Sequence, residues 1–216
     1  MKKIAVVLSG CGVYDGSEIH EATMAMLAID QLGGVYELFA PDKEQAQVVN
    51  HLTGDVSNEK RNVLIEAARI ARGKIKPLQQ LDASKFDALV VPGGYGVAKN
   101  LSDFAFKGEQ FSVDPTFEKV VKDFYLQKKP IAALCIAPVV IAKIIGSGVK
   151  VTIGNDKDTA RVISMIHGEH VETSTTGIVV DKEHKIITTP CYMLASRISE
   201  VYEGTHNAIK ALFEMI

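Results

Sequence analysis

Only three cysteines occur in the chain, an odd number among 216 residues. They do not make a disulfide framework, and a reducing, cytoplasmic setting is the default expectation. An excess of charge of one sign is also missing. The 24 Lys and Arg stand against 26 Asp and Glu, a net charge of −2, which offers no hold to nucleic acid or an anionic membrane. The longest apolar run, Ile131 to Ala142, is too short to span a bilayer. Lys2-Lys3 ahead of Ile4–Leu8 imitates a signal peptide, but the apolar stretch is too short. Ser9-Gly10-Cys11-Gly12 reads instead as the turn after a first strand. No Pro/Ser/Gly-rich linker, repeat or low-complexity tract divides the sequence, so one domain over residues 1–216 is expected. No C-x-x-C or H-x-x-x-H spacing supports a metal centre built from Cys11, Cys135, Cys191, His20 and Glu18. Neither a Walker loop nor G-x-G-x-x-G is present. No metal or cofactor is therefore expected.

What is present is an alternation of apolar strands and amphipathic helices. Ile4–Leu8 is a continuous apolar run, the mark of a strand buried on both faces. Ser17 to Leu32 reads as a helix, with Ile19, Ala22, Met26 and Ile29 at helical spacing and Gly33-Gly34 as its stop. Strands are expected at Val35–Ala40, Phe86–Val91, Ile131–Leu134 and Val149–Ile153. Helices are expected at 62–72, 117–127, after Cys135, at 158–166 and over 195–215. Asp181-Lys182-Glu183-His184 reads as a hairpin turn, and His167–His170 as a loop. The alternation implies a three-layer α/β sandwich around a mostly parallel sheet. Ligands bind beyond the carboxyl ends of such strands. Cys11, Cys135 and Cys191 each follow a strand and are expected at that one edge.

Cys135 is the residue with the most informative surroundings. A buried strand ends in it, Ala133 and Ala137 flank it at ±2, and Pro138 suits the first turn of the next helix. That is the steric pattern of a nucleophile elbow. An elbow aims helix N–H groups at the sulfur and favours thiolate. Gly93-Gly94-Tyr95-Gly96 also follows a strand, so the Gly94 and Ile136 N–H groups are candidates for an oxyanion hole. In Asp15-Gly16-Ser17-Glu18-Ile19-His20-Glu21, Asp15 or Ser17 can cap the helix, and Glu18 reads as a first-turn acid favoured by the dipole. Glu21 lies beside the buried stripe, where a shared proton with Cys135 would explain it. Two such acids in contact should hold one proton between them, which supplies an acid/base beside a nucleophile. Histidine is poorly placed. Residue 136 is Ile, His20 is the nearest candidate partner, and His51, His184 and His206 read as surface residues.

The order of first strand, Gly-x-Glu-x-x-Glu helix, V-V-P-G-G and A-x-C-x-A-P resembles the ThiJ/PfpI superfamily over nearly the whole chain. That superfamily has a flavodoxin-like, class I glutamine amidotransferase-like fold. Ser9 to Glu21 is similar to its ElbB branch, the "enhancing lycopene biosynthesis" proteins described as glyoxalases. The resemblance implies Cys135 as nucleophile, Glu21 as the cysteine-facing acid and Gly94 as the oxyanion glycine. It also implies a homodimer. Protease-like members place His directly after the cysteine, where this chain has Ile136. Others place it after the next strand, where this chain has Gly154-Asn155. Residues 100–115, with Phe104, Phe106 and Phe111, look like an insertion that lids the site or forms a dimer contact.

The implied function is a cofactor-independent glyoxalase that converts glyoxal, a small aldehyde, to glycolate through a Cys135 hemithioacetal, with deglycase activity on early glyoxal adducts as its extension. The alternative is a non-catalytic redox or binding protein linked to isoprenoid metabolism, with Cys11 or Cys191 as resolving thiol. A class I amidase is the weakest reading, for want of a histidine.

Overall fold

In a computed structural model describing residues 1–216, the first apolar runs become β1 (Lys3–Val7) and β2 (Val35–Ala40), joined by α1 (Ile19–Gln31). A small ladder of β3 (Val48–Val49) and β4 (Val56–Ser57) follows, then α2 (Val63–Ile70), β5 (Ile75–Pro77) and β6 (Ala88–Val91). Next come α3 (Tyr95–Lys99), α4 (Phe104–Lys107), α5 (Pro115–Leu126), β7 (Ile131–Leu134) and α6 (Ala137–Ile145). The chain closes with β8 (Lys150–Val151), α7 (Lys157–Met165), β9 (Glu169–His170), the β10 (Val179–Asp181) and β11 (Ile186–Thr189) hairpin, and α8 (Ile198–Glu214).

The main sheet runs β10-β11-β7-β6-β1-β2-β5, and every neighbouring pair is parallel except β10 with β11. Buried side chains alternate between its faces. Ile4, Val6, Ala132 and Leu134 pack with α1, α2 and α8, while Ala5, Val7, Ile131 and Ala133 pack with α5 and α6. The result is a flavodoxin-like three-layer sandwich. The chain lays β2 and β5 to one side of β1, then crosses to place β6, β7 and β11 on the other. This reversal opens a crevice between the carboxyl ends of β1 and β6, where open α/β sheets bind ligands.

Several local expectations change. Helix α1 starts at Ile19, and its cap is Glu18, whose Oε2 accepts from the Glu21 N–H at 2.7 Å. Asp15 and Ser17 are occupied elsewhere: Asp15 accepts from the Val49 N–H and Ser17 Oγ from the Ser9 N–H. The segment read as a loop around His167 contributes β9, which pairs in parallel with β8. His184 is not a surface residue. Its Nδ1 bonds Asp181 within the hairpin at 2.8 Å and its ring stacks on Tyr125. The 100–115 segment is anchored by Phe111, buried in the core with Phe104 packed edge-on against it, while residues 105–110 are exposed.

Candidate functional site

Cys135 stands between β7 and α6 with φ +59, a left-handed backbone that non-glycine residues rarely adopt. The strain persists because both flanks are pinned. The Cys135 N–H donates to the Thr189 carbonyl at 2.9 Å, and Ala133 and Ala137 are fully buried. The sulfur therefore sits at the tip of the sheet, at the N-terminus of a nine-residue helix. The Gly94 N–H bonds the sulfur and favours thiolate. The Ile136 N–H is not taken by a backbone carbonyl in the loops and caps, so it is available to an oxygen beside the sulfur.

Glu21 is completely buried and hydrogen-bonds the Cys135 thiol. Two backbone donors fix its carboxyl: the Gly93 N–H at 2.9 Å on Oε2 and the Tyr192 N–H at 3.3 Å on Oε1. Gly93 leaves the room this needs. A Cβ there would collide with Cys135 Cβ and lie 2.6 Å from Glu21 Oε2. Gly94, at φ +97, is required for its own conformation and for close approach to Gly16 and Glu18.

Burial, helped by the charge of Glu18, pushes the Glu21 carboxyl up to about 8. Burial and the charge of Glu21 push the Cys135 thiol well above its usual range, and only the Gly94 N–H pulls it back. The doubly ionised pair is thus strongly disfavoured. The first proton lost belongs to the pair and not to either residue.

The remaining candidates separate. Cys191, at the same sheet edge, is a buried neighbour whose charge would act on Cys135, but its own Sγ contacts Thr205 Oγ1 at 3.4 Å. Cys11 is not brought to Cys135. It faces Glu66, Arg69 and Asp15, because the loop after β1 turns toward α2. His20 is exposed, and its Nδ1 pairs with Tyr192 Oη at 2.7 Å without reaching the sulfur. A cavity of about 390 Å³ opens over Cys135, walled by Val13, Ala98, Phe104, Ile136 and Met193, with Glu18, Asp156 and Tyr192 supplying polar groups. Phe104 and Ala105 of the 100–115 segment line the cavity. Tyr192 is the residue that sequence reasoning passed over. Its only signal was its place one residue after Cys191, at the edge already singled out.

Residues 15–190, which include the acid, the glycines and the elbow, match the DJ-1/PfpI family. The chain belongs to the DJ-1/PfpI family. The rat "ES1 protein homolog, mitochondrial" is 42% identical over 99% of this chain and 84% of its own length. The human "Glutamine amidotransferase-like class 1 domain-containing protein 3, mitochondrial" is 40% identical over 99% of this chain and 83% of its own length. A crystal structure from Ehrlichia chaffeensis, described as an isoprenoid biosynthesis protein with an amidotransferase-like domain, superimposes with a TM-score of 0.94. It is 40% identical and covers 100% of this chain and 99% of its own. Both mammalian relatives are named mitochondrial, so they lend no support to a cytoplasmic location. No helix of this DJ-1/PfpI member is long and apolar enough to cross a membrane.

Proposed function

We propose that this protein isomerises glyoxal to glycolate without a cofactor, with Cys135 as nucleophile and Glu21 as acid and base. The observation that carries the reading is a fully buried carboxyl hydrogen-bonded to a thiol on the floor of a small, largely apolar cavity. Once the pair has lost one proton, the sulfur adds to one aldehyde carbon, C1. The oxyanion formed rests on the Gly94 and Ile136 N–H groups and takes a proton from Glu21, giving a hemithioacetal. The Glu21 carboxylate then removes the C1 hydrogen, and the electron pair moves into an enediolate. After the hydroxyl proton shifts between the adjacent oxygens, Glu21 delivers its proton to C2, leaving a thioester. Water cleaves this to glycolate and free thiol. C1 is oxidised and C2 reduced, so the redox balance is zero. A base raised to about 8 suits the step, because it takes a carbon-bound proton better than an ordinary carboxylate does.

Release of glyoxal from its early adducts with amines and thiols would feed the same site, which is how a deglycase activity enters the reading. The test is glycolate formation from glyoxal by metal-free wild type and Cys135→Ser, with no added thiol or nicotinamide. Turnover in wild type alone supports the proposal, and turnover in neither removes it.

A second reading is favoured by the proximity of Cys191. Peroxide would oxidise Cys135 to sulfenate, releasing water, in a non-catalytic sensor linked to isoprenoid metabolism as the name of the Ehrlichia relative implies. Stoichiometric oxidation with no glycolate formed would select it. The homodimer implied by the family resemblance belongs to either reading and is checked by light scattering in solution.

A further inference from the structure

The walls of the Cys135 cavity carry charge of one sign only. Glu18 and Asp156 line it, and no Lys, Arg or His does. Glu18 is about nine-tenths buried. Its Oε2 is used by the Glu21 N–H, while its Oε1 accepts no hydrogen bond at all. The nearest cationic candidate to that oxygen is His20 Nδ1 at 4.0 Å, and this nitrogen is already paired with Tyr192 Oη. Lys99 is not among the lining residues, and its Nζ donates to the Tyr14 carbonyl and lies over the ring of Tyr95. Asp156 occupies the start of α7 and accepts the Thr159 N–H at 2.8 Å. That helix end is thereby closed to an incoming anion. The cavity thus meets one open oxygen of the largely buried Glu18 and a second, exposed carboxylate at Asp156, with no counter-charge among its lining residues. A cation entering the cavity would meet both carboxylates and no like charge from the walls.

We infer that Glu18 and Asp156 select the charge of what enters: beside neutral glyoxal, the favoured occupant is a small α-oxoaldehyde bearing a protonated amine at the end away from the reacting carbonyl. The inference rests on Cys135 being the nucleophile of this cavity, as proposed above. A cation beside Glu18 also relieves the negative field that acts on Glu21, so binding would ease loss of the pair's proton. Anionic aldehydes such as α-keto acids, and the α-carboxylate of glutamine, are disfavoured by the same two groups.

The test measures alkylation of Cys135 in the full-length protein, read on its own peptide by mass spectrometry. The reagents are 2-bromoethylamine (cationic), iodoacetamide (neutral) and iodoacetate (anionic). Each transfers a methylene carbon to sulfur with loss of halide, and each rate is divided by its rate with a small free thiol. The expected order is cation, neutral, anion, with a span of roughly tenfold or more for two carboxylates at cavity distances. Asp156→Asn, which still caps α7, and Glu18→Gln should each shrink the span severalfold, and added salt should compress it. Equal normalised rates, a preference for iodoacetate, or a span unchanged in both variants would overturn the inference. Glycolate formation is scored separately. Charge selection without turnover sinks the glyoxalase reading alone, and turnover without charge selection sinks this one alone.

Discussion

Cys135 and Cys191 follow the ends of neighbouring parallel strands and look alike by most measures. Both are buried, both have a left-handed backbone (φ +59 and +44), and burial pushes both thiols well above their usual range. The difference lies in what each sulfur meets. Cys191 is fully sealed, with the Thr205 hydroxyl as its partner. Cys135 opens on a cavity and has a helix start behind it, the Gly94 N–H beside it and a carboxyl in contact. Burial or a raised pKa therefore does not tell the two thiols apart. Access, a carboxyl in contact and a backbone donor beside the sulfur do.

The largest effect expected from this contrast is on turnover. Cys135→Ser should lower glycolate formation at least about a thousandfold, while Cys191→Ala stays within about threefold of wild type. Equal losses in a steady-state assay would erase the distinction between the two thiols. Glu21→Gln should cost about 10²- to 10⁴-fold in kcat, because it keeps the shape and removes the proton carrier. A variant with normal kcat would take Glu21 out of the chemistry.

Glu21 also makes the contrast one of stability. Its carboxyl is held near 8 when folded against 4.5 ordinarily. Below about pH 4 both folded and unfolded chains are protonated, and the group is neutral in effect. Between those values the unfolded chain gives up a proton that the folded chain keeps, so stability falls as pH rises. The loss is complete near pH 8, at about 5 kcal/mol. Glu21→Gln should therefore melt above wild type at about pH 8.5 and converge with it near pH 4 in calorimetry. A variant that melts lower at both values would show that Glu21 is not held protonated. The same titration makes wild-type kcat/KM rise with pH toward about 8, and a profile flat from about pH 5 to 8 would contradict it. The smallest effect concerns the backbone. At φ +59, Cys135→Gly should be more stable than Cys135→Ala by about 1 kcal/mol in urea, the reverse of the usual glycine penalty.

Much of this was legible because it was local. The continuous apolar runs of β1, β6 and β7, the small residues around Cys135 and the glycines after β6 each declare themselves within a few residues. Glu21 was legible as a charge out of place beside the buried Ala22. Features set by distant pairing were not. The three-residue β5 exists only through its ladder with β2, and the β3–β4 excursion only through bonds such as Val49 to Asp15. The helix start was misplaced because Asp15 and Ser17, both good caps in isolation, are spent on the Val49 and Ser9 N–H groups. Cys11 was grouped with Cys135 because both follow strands. The path of the loop after β1, which carries Cys11 toward Glu66 and Arg69, has no signature in spacing.

Gly93 lies between the acid and the nucleophile with no side chain of its own. The close approach of Glu21 to Cys135 therefore depends on a bare peptide unit at the end of a central strand, with no side chain to push them apart. Side chains can hop between rotamers and repack as temperature or a ligand changes, but a peptide plane at the end of a buried strand has no such freedom. The site thus inherits its tolerance from the stiffest part of the molecule, and a proton passing between oxygen and sulfur would follow a path set by the sheet itself.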